Sequence, residues 1–404
     1  MSSSTPRVFD KRTGLAFVVA FGIVSFFADM AYEGMRGIAG PFLATLGASG
    51  AAVGIIAGGG EMTGYLLRLV SGRAADSTRL YWPITLAGYV VQMAAVPLLA
   101  LAGNWWMAAA LIVIERAGKA VRNPPRDVML SRAGEEIGQG WAFGLHEALD
   151  QAGALMGPLI AALVLALHHD YRTAFAWLAV PSAITLVLVF GVAWRTPQAG
   201  HIAGAGQHDD ADARLPRAYW LYAASAALAA FGFADFTLIS YHFGKAHTVG
   251  ATWIPIFYAL AMGAAGAGSL VFGRWFDARG LNVLIPGILI GATVAPLAFL
   301  GGFIPGLIGT IFWGIALGIH EAIMAAAVST MVPAHARGRA IGLFTAIFGV
   351  AWFLGSAALG ALYDVSLIWL VIVSVLPQLA ALIPLVIALR AMNADQISEN
   401  GEVS

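Results

Sequence analysis

Titratable residues gather in one stretch, Glu115 to Pro158, inside segments that are otherwise apolar. The run ERAGKAVRNPPRD holds Glu115, Arg116, Lys119, Arg122, Arg126 and Asp127, and the run GLHEALDQAGALMGP holds His146, Glu147 and Asp150. Arg116, Lys119, Arg122 and Arg126 recur at three- and four-residue steps, which puts them on one face of a helix. Such a face can hold an anion, or it can pair with acids. Asp29, Glu33, Glu61, Glu115, Glu147 and Asp150 nearly balance Arg36, Arg68, Arg116, Lys119 and Arg122, so an ion-pair network and an anion site are both open readings. A third use is proton exchange, because desolvation favours the protonated form of a carboxyl that lacks a charged partner. Asp235 and Glu321 fit that use, having His242 and His320 nearby and no Lys or Arg inside an apolar segment of their half. Asp235 and Asp29 are therefore the expected proton-exchanging acids, ahead of the better-paired Glu147 and Asp150. The pairs His146-Glu147 and His320-Glu321 do not make a zinc-hydrolase site, which needs a second His where Asp150 and Met324 stand. No metal and no cofactor is expected.

The elements that must carry these residues are transmembrane helices. The chain is 59% hydrophobic and only 11% charged, with a mean hydropathy of +0.80, whereas soluble domains carry about 25% charged residues. Twelve apolar runs approach the length of about 20 residues that crosses a bilayer. The fold class is thus all-α and polytopic, since a helix satisfies its own backbone in lipid. Span 4 is placed at 105–127, followed by a short basic turn and then span 5 at 139–167; span 7 is placed at 218–244. Charge at mid-bilayer costs about 2.5–3.5 kcal/mol per residue on insertion scales, so the charged faces of spans 4 and 5 must be paired or used.

Orientation follows from Lys and Arg. The side that holds both termini carries the basic residues of the even-numbered connections, among them Arg73, Arg79, Arg132, Arg214, Arg274 and Arg337, while the opposite side holds only Arg172 and Lys245. Both termini are expected in the cytoplasm. The first span lacks a small-residue cleavage pattern and is read as an uncleaved helix. With no cysteine there is no disulfide or thiol chemistry. The zero net charge says nothing about partners, because the charges are sorted by membrane side, and no nucleic-acid partner is expected.

The chain divides at residues 195–217, a polar stretch rich in Gly, Ala and Asp that suits a flexible cytoplasmic linker. Residues 1–194 and 218–404 then form two six-helix bundles, and their sequences echo each other. Phe27-Ala28-Asp29 matches Phe233-Ala234-Asp235, Gly72-Arg73-x-x-Asp76 matches Gly273-Arg274-x-x-Asp277, and Gly157 falls opposite Gly355, in the same order along both halves. A parallel repeat of this kind puts a substrate site near the membrane midplane at the repeat interface.

These motifs resemble those of the major facilitator superfamily. Gly72 and Asp76 are similar to that superfamily's loop after span 2, although Ser77, Arg79 and Leu80 depart from it, and Gly273, Asp277 and Gly280 repeat it after span 8. The run Gly153-x-x-x-Gly157-Pro158 resembles the antiporter signature of proton-coupled efflux members, with Ala161 and Ala162 replacing its closing glycines. Three further patterns resemble a widespread prokaryotic group of these carriers: Ser25-x-x-x-Asp29-x-x-x-Glu33; Arg116-x-x-Lys119-x-x-Arg122-x-x-Pro125-Arg126-Asp127; and Phe143-Gly144-x-His146-x-x-x-Asp150-x-x-Gly153.

The resemblance implies twelve helices in two repeats around a central cavity. It implies no enzymatic activity, and a monomer in the cytoplasmic (inner) membrane that moves a small molecule by alternating access. Proton-coupled efflux is the leading expectation, with transport of an anionic metabolite on Arg116, Lys119 and Arg122 as the alternative and a non-transporting receptor as a third class. Gly72, Arg73, Asp76, Arg126, Asp127, Gly153, Gly157, Pro158, Gly273, Arg274 and Asp277 are the expected gating positions.

Overall fold

In the computed structural model, residues 9–200, 215–333 and 336–401 are described, and among them there are helices and no strands. The N-terminal half contains α1 (Lys11–Thr45), α2 (Gly50–Thr78), α3 (Tyr81–Leu98), α4 (Trp105–Ile137), α5 (Gln139–His168), α6 (Tyr171–Trp177) and α7 (Ala179–Arg195). The C-terminal half contains α8 (Arg217–Gly232), α9 (Phe236–Lys245), α10 (Trp253–Arg279), α11 (Leu284–Leu300), α12 (Phe303–Met331), α13 (Arg337–Val365) and α14 (Leu367–Gly401). Most of the expected linker lies outside the described residues, Arg214 included.

Nine segments among the described residues are long and apolar enough to cross a membrane. One of them, Trp253–Leu300, contains both α10 and α11. The glycine-rich α2 and the strongly charged α4 do not qualify on composition, although both are long. The protein is a multi-pass, all-α membrane protein.

Three elements differ from the sequence expectation. First, the basic turn after span 4 is helix. α4 runs through Pro124 and Pro125 to Ile137, so Arg126 and Asp127 sit inside it. Proline has no N–H to return to the carbonyl four residues back, which costs about 3 kcal/mol in a helix interior. Here the carbonyl left by Pro124 belongs to Ala120, and the Ser71 hydroxyl of α2 donates to it at 3.0 Å. A neighbouring helix thus completes the ladder that proline interrupts. α4 stops at Gly138, whose φ of +100° suits only glycine.

Second, span 7 is broken. Phe233 and Asp235 are extended between α8 and α9, and Asp235 caps α9 by accepting from the Thr237 N–H at 2.8 Å. Side chains satisfy the carbonyls freed by the break. Ser374 Oγ and Gln378 Nε2 donate to the Gly232 carbonyl at 2.6 and 3.0 Å, and Trp313 Nε1 donates to that of Ala234 at 2.9 Å. Third, the Gly-Asp motifs lie in helix rather than loop, with Asp76 near the end of α2 and Asp277 near the end of α10.

By packing, the chain forms two compact units: Met1–Ile38 with Thr63–Gly206, and Ala39–Met62 with Gln207–Ser404. In the first, α3 lies along α4 and against α7; in the second, α10 lies on α12, and α8 lies on α13 and α14. The stretch Ala39–Met62, which includes the end of α1 and the start of α2, packs with the second unit.

Candidate functional site

Two backbone contacts assemble the site in the first unit. A Cβ at Gly153 or Gly157 of α5 would collide with the carbonyl of Phe26 or Met30, so α5 lies directly on α1. Likewise α3 and α4 meet reciprocally, Gly118 against Gln92 and Gly88 against Arg122. Small residues permit this approach in membrane helices. Charged side chains carried one turn away are thereby forced together.

The first contact brings Asp150 of α5 beside Asp29 of α1, close enough for the two carboxyls to interact electrostatically. Each acid also keeps its Oδ1 buried without a hydrogen-bond partner. Lys119 Nζ lies 3.8 Å and Arg122 Nη2 3.6 Å from Asp29 Oδ1. Asp150, expected to be the better-paired acid, is instead Asp29's partner.

The second contact fixes the basic face of α4. Arg122 is fully buried, and its Nε donates to Gln92 Oε1 at 2.6 Å while Nη1 donates to the Tyr89 hydroxyl at 2.9 Å. Gln92 Nε2 in turn donates to the buried Glu115 at 2.8 Å. Arg116 donates to the Tyr32 hydroxyl and lies 3.9 Å from Glu115, and Lys119 sits 3.8 Å above the Tyr32 ring. Arg36 and Glu33 face each other at 3.9 Å. The bases are thus committed to α1, α3 and their own helix.

Beside the two acids lies a cavity of about 400 Å³, lined by Arg126, Asp127, Phe143, Gly144, His146, Glu147 and Asp150. Arg126 is buried and forks onto Asp127, with Nη2 at 2.8 Å and Nε at 2.9 Å from Oδ1. His146 is buried and pairs with Ser25 through Nε2. Glu147 is exposed and accepts from Gln151 at 2.9 Å. With Arg126 neutralised by Asp127, the acceptor oxygens of Glu147 and Asp150 dominate the cavity wall. This chemistry suits hydrogen-bond donors and protons better than anions.

The remaining sequence-selected residues have surroundings of their own. Glu61 belongs to the second packing unit. There Asp235 caps α9, His242 Nδ1 meets the Tyr363 hydroxyl at 3.1 Å, His320 packs on the rings of Phe233 and Phe348, and Glu321 is exposed. Asp235, expected inside a continuous helix with His242, is instead the N-cap of α9, which carries His242. Arg73, Asp76, Arg274 and Asp277 are exposed; Asp76 accepts from Tyr81 at 2.9 Å, Gly72 packs at van der Waals distance from Pro124, and Gly273 has open space around it. Pro158 is buried beside Gly157.

Sequence reasoning missed Gln92, Tyr89, Tyr32 and Ser71. Gln92 carried a usable signal, being a lone amide in an otherwise apolar span. The others look like ordinary helix residues until their partners are known.

Comparison with known proteins identifies the family and supports the fold. A family model described as Major Facilitator Superfamily matches residues 21–356. An uncharacterized protein of Mycobacterium tuberculosis is 39% identical over 373 residues, covering 91% of each chain. An uncharacterized MFS-type transporter of Methanocaldococcus jannaschii is 28% identical over 177 residues, covering 43% of this chain and 44% of the other. Among solved structures, a mutant of the nucleoside transporter NupG superposes with a TM-score of 0.75 at 14% identity, over 91% of this chain and 99% of that one. The peptide transporter POT bound to sulfate gives 0.73 at 15% identity, over 96% and 98%. At such identities these structures speak for the fold alone. The chain belongs to the Major Facilitator Superfamily and is a membrane transporter, not an enzyme.

Proposed function

We propose that this transporter is a proton-coupled antiporter that exports a small molecule, with Asp29 and Asp150 as its proton site. The observation that carries the reading is the close approach of these two carboxyls, each with a buried Oδ1 that has no hydrogen-bond partner, beside a cavity that Asp150 also lines. Two acids brought together, with Lys119 and Arg122 against one of them, can take up a proton and release it when cargo or water reaches the site. The Gly153–Gly157 contact belongs to the segment that resembles the antiporter signature, and it sets the distance between the two helices that carry the acids. The anionic-metabolite reading is weaker, since Arg116, Lys119 and Arg122 are engaged by Tyr32, Asp29, Gln92 and Tyr89. The same proposal takes the two sequence halves as parallel repeats, and places a monomer in the cytoplasmic membrane with both termini inside, on the distribution of Lys and Arg.

The test is purified protein in liposomes with a trapped pH-sensitive dye, screened against a compound panel under an imposed pH gradient. Asp29→Asn and Asp150→Asn should each abolish proton-driven flux of a transported compound while gradient-free exchange continues. Undiminished proton-driven flux in both variants would refute the site.

A further inference from the structure

The second packing unit contains an arrangement with no counterpart in the proton site. Asp364, near the end of α13, accepts two backbone hydrogen bonds from the start of α2: Gly50 N–H to Oδ1 and Ala51 N–H to Oδ2, each at 3.0 Å. These are among the donors that every helix leaves unsatisfied in its first turn. Ser49, the residue before α2, takes the next one, from Ala52 at 3.1 Å. The cap of α2 is therefore divided between its own Ser49 and a carboxylate from a distant helix. Positive charge at the helix start and negative charge on Asp364 strengthen the bond.

The surroundings fit a seam made to close tightly and to part cleanly. Gly50, Gly54 and Gly58 of α2 face Gly360, Ser356 and Phe353 of α13, with no room for a Cβ on Gly50, Gly54 or Gly360. Lys245 Nζ stands 3.9 Å from Asp364 and donates to the Tyr241 hydroxyl at 2.9 Å, which itself donates to the Ala48 carbonyl at 2.8 Å. The charged pair is half-exposed, 49% for the Lys245 side chain and 31% for Asp364, so water can replace the bonds when they open. Smooth glycine faces hold the helices together without interlocked side chains.

We propose that Asp364 is the gating residue for the membrane side opposite the termini, holding the start of α2 on α13 in the closed state and releasing it in each transport cycle. The inference rests on the transporter reading. In the sequence repeat α2 belongs to the first half and α13 to the second, and repeats of this class rock against each other. A bond between them has to break and re-form in every turnover.

The protein contains no cysteine, so a single introduced thiol reports exposure cleanly. Ser356→Cys places that thiol in the seam, where Ser356 is buried. Its rate of reaction with a fluorescent maleimide is measured in detergent, in the wild-type background and with Asp364→Asn, Asp364→Glu or Ala51→Pro. The last variant deletes one donor from the α2 side, at a helix turn that tolerates proline. Asp364→Asn and Ala51→Pro should each speed labelling roughly tenfold, the equivalent of one charge-assisted hydrogen bond. Their melting temperatures should stay near that of the parent, and Asp364→Glu should keep the slow rate. In liposomes the two faster-labelling variants should change the maximal flux and leave the half-saturating cargo concentration unchanged. Labelling at the parental rate in both variants overturns the gate. A parent protein that moves no compound overturns the antiport reading instead, and the labelling result still decides the gate.

Discussion

His146 Nε2 lies 2.9 Å from Ser25 Oγ, and Arg126 Nη1 approaches the same oxygen at 3.5 Å. The guanidinium can only donate, so the hydroxyl accepts from Arg126 and is left free to donate its proton to the imidazole. One small side chain on α1 thereby joins α4 to α5 beside the cavity. Ser25→Ala leaves both partners short of a bond in a buried place and should cost about 1–3 kcal/mol. A melting curve in detergent checks this, and an unchanged melting temperature would show that the hydroxyl carries no weight.

Gln92 is the hinge of the buried polar network, accepting from Arg122 with one end of its amide and donating to Glu115 with the other. Gln92→Leu takes one hydrogen bond each from a buried guanidinium and a buried carboxylate, and the expected loss is about 3 kcal/mol. Removing that acid as well, with Glu115→Leu, should recover much of it. Equal melting temperatures for the single and double variants would contradict the arrangement.

Gly157 and Gly355 each meet a backbone carbonyl, that of Met30 or of Phe231. Carbonyls cannot swing aside as a flexible side chain can. Gly157→Ala and Gly355→Ala should therefore each destabilise by about 1–3 kcal/mol through overpacking. Gly64→Ala is the contrast, since a Cβ there meets open space. Its effect should be neutral or slightly favourable, as alanine is the better helix former. Comparable melting temperatures for all three variants would contradict the packing account.

Asp76 sits at the end of α2, exposed and bonded to the Tyr81 hydroxyl that begins α3. The expectation is that Asp76 acts on the movement of helices rather than on bound cargo. Asp76→Asn should lower the maximal flux and leave equilibrium binding of the cargo unchanged. Lost affinity at normal turnover would contradict this.

The sequence by itself determined the class of the protein. Apolar length, low charge and the motifs at Gly72–Asp76 and Gly153–Pro158 were sufficient to read a polytopic helical transporter of this superfamily. Helical periodicity also determined that Arg116, Lys119, Arg122 and Arg126 share a face, because that follows from the rise and turn of a helix alone. The partners of that face were decided by the tertiary structure. Asp29 meets Asp150 because glycines bring α1 and α5 into backbone contact, and Arg122 meets Gln92 because Gly88 and Gly118 do the same for α3 and α4. Local signals even misled in two places. Two prolines read as a turn where the Ser71 hydroxyl keeps α4 helical, and the apolar run of span 7, which does form one span, gave no sign of the break at Phe233–Asp235 that Ser374, Gln378 and Trp313 stabilise. The physical reason is common to all of these. In lipid, a backbone or charged group takes whatever polar partner the neighbouring helix presents, and which helix is the neighbour is a property of the packing.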